Sequence, residues 1–193
     1  MAKTRTRTRT RSATVRSARS KVHLPATPSN RPLNSRTVAL SHVDRQGRVK
    51  MVDVGDKPVT NREAVARGEI TMSVGALRAI RQRAVAKGDP LQAARLAGIM
   101  AAKQTSALIP LCHSLPLTHV SVALTPTRRG YRIESRVRTT ARTGVEMEAL
   151  AAVVVATLTV YDMVKAIDRT MVIGDICLVE KRGGRSGHYI RSE

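Results

Sequence analysis

The segment from Thr143 to Ala166, TGVEMEALAAVVVATLTVYDMVKA, carries charged residues only near its two ends. Glu146 and Glu148 lie near one end, and Asp162 and Lys165 near the other. Three residues apart, Asp162 and Lys165 share one face of a helix. A lysine next to an aspartate in a polar cavity can perform acid–base chemistry, because the neighbouring charge tunes its pKa. The spacing alone equally allows a simpler interpretation, with glutamates that favour the helix dipole and a surface ion pair.

The uncharged run between these charges predicts a buried helix. Residues 149–161 fall short of the roughly 20 apolar residues that a membrane span requires. Glu146 and Glu148 are two residues apart, so they share a face only if the chain is still extended at 143–148. The Thr-Gly pair at the helix entry permits such a conformation.

The stretch LIPLCHSLPLTH, residues 108–119, places a histidine between two prolines in an apolar loop. His113 is as consistent with a structural role as with a catalytic one. His119 follows six residues later, but no third ligand has suitable spacing, so we predict no metal site. Cys112 and His113 are adjacent and their side chains diverge, which argues against a nucleophilic pair. Cys112 and Cys177 form no disulfide framework, and we expect buried free thiols and a reducing compartment.

A glycine-rich basic segment, KRGGRSG at 181–187, lies near the C-terminus. Its glycines allow the backbone to approach a ligand closely, and Lys181 and Arg185 have the charge to meet phosphate oxygens. It is not a Walker loop, since G-x-x-x-x-G-K-[ST] does not occur in the chain. Taken alone, this pattern is weak evidence for a phosphate-binding site.

The composition favours one compact domain with an aliphatic core. The chain has 193 residues, 42% of them hydrophobic, with no Trp, no Phe and three Tyr. A core of Ala, Val, Leu, Ile and Met suits close packing of helices on a sheet. The net charge is +20, and residues 1–43 contribute half of it, with ten Lys or Arg and no acidic residue. This charge implies an anionic partner but does not identify it.

The basic N-terminal tail, residues 1–38, is of low complexity and is predicted to be disordered, because it lacks apolar residues to offset the entropy of ordering. Three interpretations remain open: a solubilising extension, a mitochondrial transit peptide, and a nucleic-acid-binding arm. Three prolines in PATPSNRPLN indicate a linker. The folded domain is therefore expected at residues 39–193.

Apolar periodicity predicts strands and helices that alternate along this domain. Residues 39–68 fit no clear pattern. The class expected is α+β, with a ferredoxin-like antiparallel sheet and helices packed on one face. The predicted elements are a strand at 69–74, helices at 74–85 and from Pro90 to about Ser106, a hairpin of strands at 117–124 and 131–140, a helix at 146–167 and a strand at 171–181.

Several segments together resemble one family, and they cover residues 40–190 in that family's order. They are MVDVGDKP (51–58), KGDP (87–90), ARLAGIMAAKQTSALIPLCH (94–113), TGVEMEAL (143–150), LTVYDMVKA (158–166) and GGRSG (183–187). AAKQTSALIPLCH and TGVEMEAL are highly specific strings. The sequence thus resembles the molybdenum cofactor biosynthesis protein C (MoaC) family, whose members are cyclic pyranopterin monophosphate synthases.

The resemblance implies a lyase of molybdenum cofactor (molybdopterin) biosynthesis. Its small-molecule substrate would be a cyclised dihydro-GTP, 3′,8-cyclo-7,8-dihydroguanosine 5′-triphosphate, converted to cyclic pyranopterin monophosphate with release of diphosphate. The family resemblance implies a homohexamer, a trimer of dimers with the active site at a dimer interface. No cofactor, metal, nucleic acid or membrane partner is expected. A cytoplasmic location is expected, or the mitochondrial matrix if the tail is a transit peptide.

Residue by residue, the resemblance assigns a catalytic role to Asp162, Lys165 and Lys87. It assigns substrate binding to Lys103, Cys112, His113, Glu146, Met147, Glu148, Arg62, Lys181 and Arg185. Two residues depart from the family pattern: Arg185 replaces the lysine of GGKSG, and Arg142 stands where a lysine often precedes TGVEMEAL. Arginine keeps a phosphate contact but not a proton-transfer role.

Two other hypotheses compete with the enzyme. A basic RNA- or ribosome-binding protein fits the charge, but so few aromatic residues leave little for bases to stack on. It also leaves Glu146, Glu148, Asp162 and His113 unexplained. A non-catalytic homologue that acts as an assembly partner is disfavoured, because Asp162, Lys165, Lys87 and Lys103 are all present.

Overall fold

A computed structural model describes residues 46–192 of the chain. The predicted tail, linker and domain boundary near residue 39 lie outside this range and stay predictions. The nine elements within it are β1 (Thr60–Thr71), α1 (Val74–Arg81), α2 (Pro90–Lys103), α3 (Thr105–Leu108), β2 (Leu117–Pro126), β3 (Gly130–Ala141), α4 (Glu146–Val164), β4 (Val172–Arg182) and β5 (Tyr189–Ile190).

The strands form one five-stranded antiparallel sheet in the order β2-β3-β1-β4-β5. Side chains of β3 alternate between the two faces: Ile133, Ser135 and Val137 are buried, whereas Arg132 and Glu134 are exposed. The buried face carries the helices, since the Ser135 hydroxyl donates to the Ala149 carbonyl of α4 at 2.6 Å. The α+β class with an antiparallel sheet is therefore confirmed.

The first strand is longer than predicted and starts nine residues earlier, at Thr60 rather than Glu69. It is a central strand, paired with β3 on one side and β4 on the other. Its buried residues include Ala64, Ala66 and Gly68, small residues with low strand propensity, so periodicity and composition gave little signal there. Part of the unassigned stretch 39–68 is thus the middle of the sheet.

Two predicted helices end early. The first stops at Arg81 instead of residue 85, and the chain then turns through Arg83, whose φ is +54°. The second stops at Lys103, and residues 105–108 form the separate short helix α3. The Thr105 hydroxyl donates to the carbonyls of Ala101 and Ala102, which ties α3 to the end of α2.

Helices α2 and α4 are antiparallel and very close. Lys87, just before α2, contacts Asp162 near the end of α4, while Gly98 in the middle of α2 faces Ala152 and Ala156. A Cβ atom at Gly98 would lie only 2.8 Å from the Ala152 carbonyl oxygen. Small residues thus set the separation of the two helices, as expected for a core without large aromatic side chains.

The α4 helix is confirmed as a core helix. Within residues 46–192 it alone is long and apolar enough to cross a membrane by length and composition. Its side chains instead pack against the sheet and α2, and Ala152, Val153, Ala156 and Val160 are completely buried. Such a helix inside a packed core needs no bilayer to cover it.

The turn after α4 is tied to the start of α1 by Asp168. This carboxylate accepts hydrogen bonds from the Ser73 amide at 2.7 Å and from the Thr170 amide at 2.8 Å. These backbone bonds, with one from the Thr170 hydroxyl, lower the pKa of Asp168 to about 2. Asp168 is therefore an ionised anchor for the chain that follows Asp162 and Lys165.

We predict that Gly98→Ala destabilises the protein, although alanine is the better helix former. The added methyl group meets backbone on α4, and overpacking of this kind lowers the free energy of unfolding by about 1–3 kcal/mol. Gly75→Ala in α1 is the matched control, because its Cβ would meet nothing nearer than the Ser73 hydroxyl at 3.9 Å. Urea unfolding at fixed protein concentration measures both; equal stability of the two variants would contradict the close contact.

Candidate active site

A cavity of about 290 Å³ opens at the N-terminal end of α4. It brings together five residues predicted to bind substrate, namely Cys112, His113, Glu146, Met147 and Glu148. The remaining lining comes from residues 52–57, from Leu111 and Leu115, and from Thr143 and Gly144. The two sequence segments with the most specific resemblance, 101–113 and 143–150, thus meet at one place.

His113 is held by the chain segment that precedes β1. Its Nε2 lies 2.9 Å from the Val52 carbonyl oxygen. A carbonyl oxygen only accepts, so Nε2 carries the hydrogen, and in the neutral form of the ring Nδ1 is then an acceptor. The preceding residue, Cys112, is held by its amide, which donates to the Ile109 carbonyl at 3.0 Å.

Glu146 and Glu148 both line the cavity, but not for the reason the sequence suggested. The helix already begins at Glu146, so the entry is not extended through residue 148. Glu146 folds back instead: a Cβ at Gly144 would lie 2.1 Å from its carboxylate oxygen Oε2. The missing side chain of Gly144 therefore leaves the space that this carboxylate fills.

Glu148 is a buried carboxyl, only 4% exposed. Burial raises its pKa, and the nearby charge of Glu146 raises it further. The pKa of the Cys112 thiol is also raised, mainly by burial and then by the charge of Glu148. The cavity thus holds a carboxyl group that favours its protonated form more than an exposed one does, which suits a group that donates or accepts a proton.

The second group of predicted residues lies at the other end of α4. The Asp162 carboxylate contacts two ammonium groups, Lys165 Nζ through Oδ1 at 2.7 Å and Lys87 Nζ through Oδ2 at 2.7 Å. Lys87 also donates to the Asp162 carbonyl at 3.1 Å. The hydrogen bonds from Lys165 and Lys87 lower the pKa of Asp162 to about 2. All three side chains are about half exposed in the single chain.

Local sequence explains how Lys87 reaches this position. Gly88 has a φ of +96°, which favours glycine, and turns the chain into α2. Asp89 caps the helix by accepting from the Leu91 amide at 2.9 Å and from the Gln92 amide at 3.2 Å, and Pro90 occupies the first helical position. The KGDP motif therefore places a lysine just outside the helix, beside the last turns of α4.

Arg62 and Lys181 form a basic group next to the cavity. Arg62 donates to the Arg142 carbonyl at 3.3 Å, one residue before the cavity residue Thr143. Its Nε atom is buried with no hydrogen-bond partner. Lys181 Nζ donates to the Ser186 hydroxyl in the glycine-rich loop. Of the predicted phosphate-binding cations, Arg62 thus lies beside the cavity, and Lys181 lies on the neighbouring strand β4.

The chain does not bring all predicted residues together. Glu148 and Asp162 are separated along α4 by roughly 21 Å at about 1.5 Å per residue. Lys103 is exposed at the end of α2 that lies nearest the start of α4, and Arg185 is exposed in the glycine-rich loop. A single chain therefore presents two charged regions, a cavity with adjacent cations and an Asp–Lys cluster.

Sequence reasoning missed Lys57, which lines the cavity with Val52 and Val54. The segment MVDVGDKP was recognised as a motif, but no role was given to its lysine. The expectation of buried thiols was also too strong, because Cys112 and Cys177 are free but only half-buried. For Cys112 the reason is that it faces the cavity rather than the core.

Comparison with known proteins agrees with the motifs at these two regions. The sequence model of the MoaC family matches residues 51–184, a range that contains both of them. The chain belongs to the MoaC family. The resemblance inferred from the motifs is therefore confirmed, as is the prediction of an enzyme of this family.

Curated bacterial relatives align over most of their own length. A cyclic pyranopterin monophosphate synthase of Heliobacterium modesticaldum is 59% identical over 156 residues, which is 80% of this chain and 98% of the relative. One of Chloroflexus aggregans is 57% identical, and the alignment covers 80% of this chain and 94% of the relative. One of Nostoc sp. is 53% identical over 160 residues, and the alignment covers 82% of this chain and 95% of the relative. These bacterial relatives give no support to the mitochondrial alternative.

The electrostatics of the cavity predict that Glu148→Gln lowers the pKa of Cys112. Glu148 is ionised when a thiol titrates, so removal of its charge favours the thiolate and moves the onset of alkylation to lower pH. The pH dependence of iodoacetamide labelling measures this in a Cys177→Ser background. Glu146→Gln is the control from the same cavity and is expected to shift the onset less; equal shifts would contradict the contact.

Proposed function

We propose that this site converts the cyclised dihydro-GTP to cyclic pyranopterin monophosphate and diphosphate, the reaction of a cyclic pyranopterin monophosphate synthase. The observation that carries the proposal is the Asp162 carboxylate between Lys87 and Lys165, on the helix whose other end carries the buried Glu148. A purine-derived ring that opens and closes again as a pterin needs several proton donors and acceptors. Membership in the MoaC family supports the same reaction.

The cavity is suited to the base and sugar of the substrate. A carboxylate accepts paired N–H donors of a guanine-type ring, and a protonated carboxyl donates to a ring nitrogen or oxygen. Glu146 and Glu148 supply the carboxyl groups, and burial raises the pKa of Glu148, which favours its proton-donating form more than in an exposed glutamate. His113 adds an acceptor at Nδ1 while Nε2 stays bonded to Val52. Met147 and Cys112 supply apolar contact with the ring.

The basic group next to the cavity is suited to the triphosphate. The ribose oxygen attacks the α-phosphorus, the bond to the β-phosphate oxygen breaks, and diphosphate leaves with the electron pair. Positioned cations stabilise the charge that develops on the leaving oxygens. Arg62 has an unpartnered Nε, and Lys181 and Arg185 belong to the same glycine-rich segment, so these three residues are proposed to hold the phosphates.

Lys165 is the proposed acid–base group. Its ammonium contacts Asp162, which stays ionised at neutral pH because its pKa is about 2. Asp162 therefore keeps the Lys165 ammonium in place, from where it is proposed to give a proton to the substrate and take one back. Lys87 contacts the other carboxylate oxygen and is proposed to assist from the opposite side. Lys103 is proposed to add positive charge near the base.

We further propose that the two charged regions meet across a dimer interface in a homohexamer, a trimer of dimers of ferredoxin-like subunits. Three features support this arrangement. The regions are roughly 21 Å apart on one helix. The Asp162 cluster is half exposed. Leu158, one turn before Asp162, is more than half exposed and adjoins the cluster, and Leu96 and Met100 on the neighbouring helix α2 are more than half exposed as well. A cytoplasmic location is proposed for the assembly.

The reaction predicts turnover by the purified wild-type protein under anaerobic conditions. Diphosphate release and the fluorescence of the oxidised pterin would report it. Lys165→Ala is expected to lower kcat by about 100-fold or more, the usual contribution of a positioned acid–base group. Lys165→Arg is expected not to restore kcat, because a guanidinium keeps the charge but does not release a proton.

Arg128→Ala is the matched control, since Arg128 is an exposed cation in the β2–β3 turn, away from both regions. Full activity is expected for this variant. Absence of turnover by a folded wild-type oligomer would refute the proposed reaction. Full activity of Lys165→Arg would refute proton transfer by Lys165 and leave a purely electrostatic role.

A shared site predicts that two inactive variants restore each other. In a heterodimer of Lys165→Ala and Glu148→Gln chains, one site receives both wild-type residues and the other receives neither. Random reassembly would then recover about a quarter of the wild-type activity, because half of the dimers are mixed and each has one intact site. The measurement is turnover after co-refolding or co-expression. No recovery from mixed oligomers would place each site within a single chain.

A further inference from the structure

The glycine-rich loop between β4 and β5 is anchored from the face of the sheet opposite to the helices. Neighbouring residues of a strand point to opposite faces. Lys181 pairs with Ala64, whose buried side chain faces the helices, whereas Glu180 pairs with Val65 on the other face. The strand therefore carries a phosphate-binding candidate on one side and a carboxylate on the other.

Glu180 connects the two ends of this loop. One of its carboxylate oxygens, Oε1, accepts from Arg182 Nε at 2.6 Å and from His188 Nε2 at 2.7 Å. The pKa of Glu180 is lowered by the bonds from Arg182 and His188, so it is an ionised acceptor and the His188 Nε2 carries the hydrogen. The side chain of Glu180 is only 17% exposed, whereas those of its partners His188 and Arg182 are about half exposed.

The loop has few other constraints. Gly183, Gly184 and Gly187 have φ values of +92°, +78° and +64°, a region that favours glycine. Because glycine has no Cβ, these residues also give the unfolded chain wide conformational freedom. The strand after the loop, β5, pairs with β4 through two residues only. So short a ladder is weak on its own. Contacts between side chains must therefore supply much of the loop's fixed position.

The position of the loop matters because it lies directly against Arg62. A Cβ at Gly184 would be 1.5 Å from Arg62 Nη1, and one at Gly183 would be 2.2 Å from the Asn61 carbonyl oxygen. Backbone and guanidinium are thus in contact. A loop that moved away from Arg62 would also carry Arg185 away and release Lys181 Nζ from Ser186, whereas β4 itself keeps its pairing with β1.

We propose that Glu180 and His188 are a positioning pair, which closes the 183–187 loop over Arg62 and so holds Arg185 at the phosphates of the substrate, beside Lys181 of β4. The pair touches no substrate and acts through the loop. The identity of the phosphate ligand rests on the proposed function, whereas the closing of the loop does not.

The test uses the full chain and two measurements that do not require turnover. Hydrogen exchange of amides 183–191 reports whether the loop is held in place. Calorimetry with inorganic diphosphate measures how tightly the cations bind it. His188→Ala is expected to speed exchange in the loop and to weaken diphosphate binding roughly tenfold, the effect of one hydrogen bond to a charged group. In the turnover assay, KM is expected to rise similarly with kcat unchanged.

Two variants distinguish positioning from general damage. His188→Gln keeps an N–H donor and is expected to restore most of the diphosphate affinity. His119→Ala removes an exposed histidine from the opposite edge strand β2 and is expected to change nothing. The double variant Glu180→Ala with His188→Ala is expected to bind no more weakly than Glu180→Ala alone, because both lose the same contact.

The outcomes separate this inference from the reaction. Unchanged loop exchange and diphosphate affinity in His188→Ala would overturn the positioning pair, even if the wild type turns over. If His119→Ala loosened the loop and weakened diphosphate binding as much as His188→Ala does, the positioning pair would be overturned as well. If the wild type shows no turnover but His188→Ala still loosens the loop and weakens diphosphate binding, the pair stands and the proposed substrate is wrong.

Discussion

The close antiparallel contact of α2 and α4 determines where the Asp–Lys cluster and the cavity residues at the start of α4 lie. Gly98 lets α2 approach the backbone of α4, and the two helices run in opposite directions. Because of this direction, the start of α2 brings Lys87 to Asp162. Its end leads through α3 to Cys112 and His113 beside the first turn of α4. One packing contact thus builds both charged regions.

Neither region is explained by stability of the single chain. A buried carboxyl whose pKa is raised, such as Glu148, contributes to folding below the ordinary glutamate pKa, and this contribution is lost as the pH rises from there through the raised pKa. Above the raised pKa, where the group is ionised, its burial is a cost. The Asp162 cluster is exposed, and ion pairs in water contribute little. Groups that cost stability or add little to it are typical of sites that bind or react.

The parts of the fold that sequence reasoning predicted are those where pattern and burial agree. The alternation in β3 and the apolar run of α4 follow directly from which faces are buried. The strand β1 was largely missed, because a central strand that packs on a close helix uses Ala64, Ala66 and Gly68, residues typical of neither strand nor core. Here the tertiary contact, rather than local propensity, determines the structure.

The candidate site likewise has parts that the sequence predicts and parts that it does not. The family motifs identified the residue types, and the lysine of KGDP follows from a helix cap that is readable in the sequence. The way in which Glu146 and Glu148 reach one cavity was not readable, because it depends on the space left by Gly144. Lys57 was missed for a similar reason: it reaches the cavity through a segment without secondary structure, where no periodicity indicates which way a side chain points.

Because the Asp162 cluster is exposed, the strength of its charge interactions depends on whether another subunit covers it. In water, the attraction between one carboxylate and two ammonium groups is screened, and its effect on a substrate proton is small. Leu158 lies one turn before Asp162 on the same face of α4 and is 52% exposed, so a subunit that buried Leu158 would also remove water from the cluster. On the proposed dimer, the same apolar contact that joins two chains would therefore strengthen the charges that act on the substrate. A chain that failed to assemble would keep its Asp–Lys contacts and still lack an effective site.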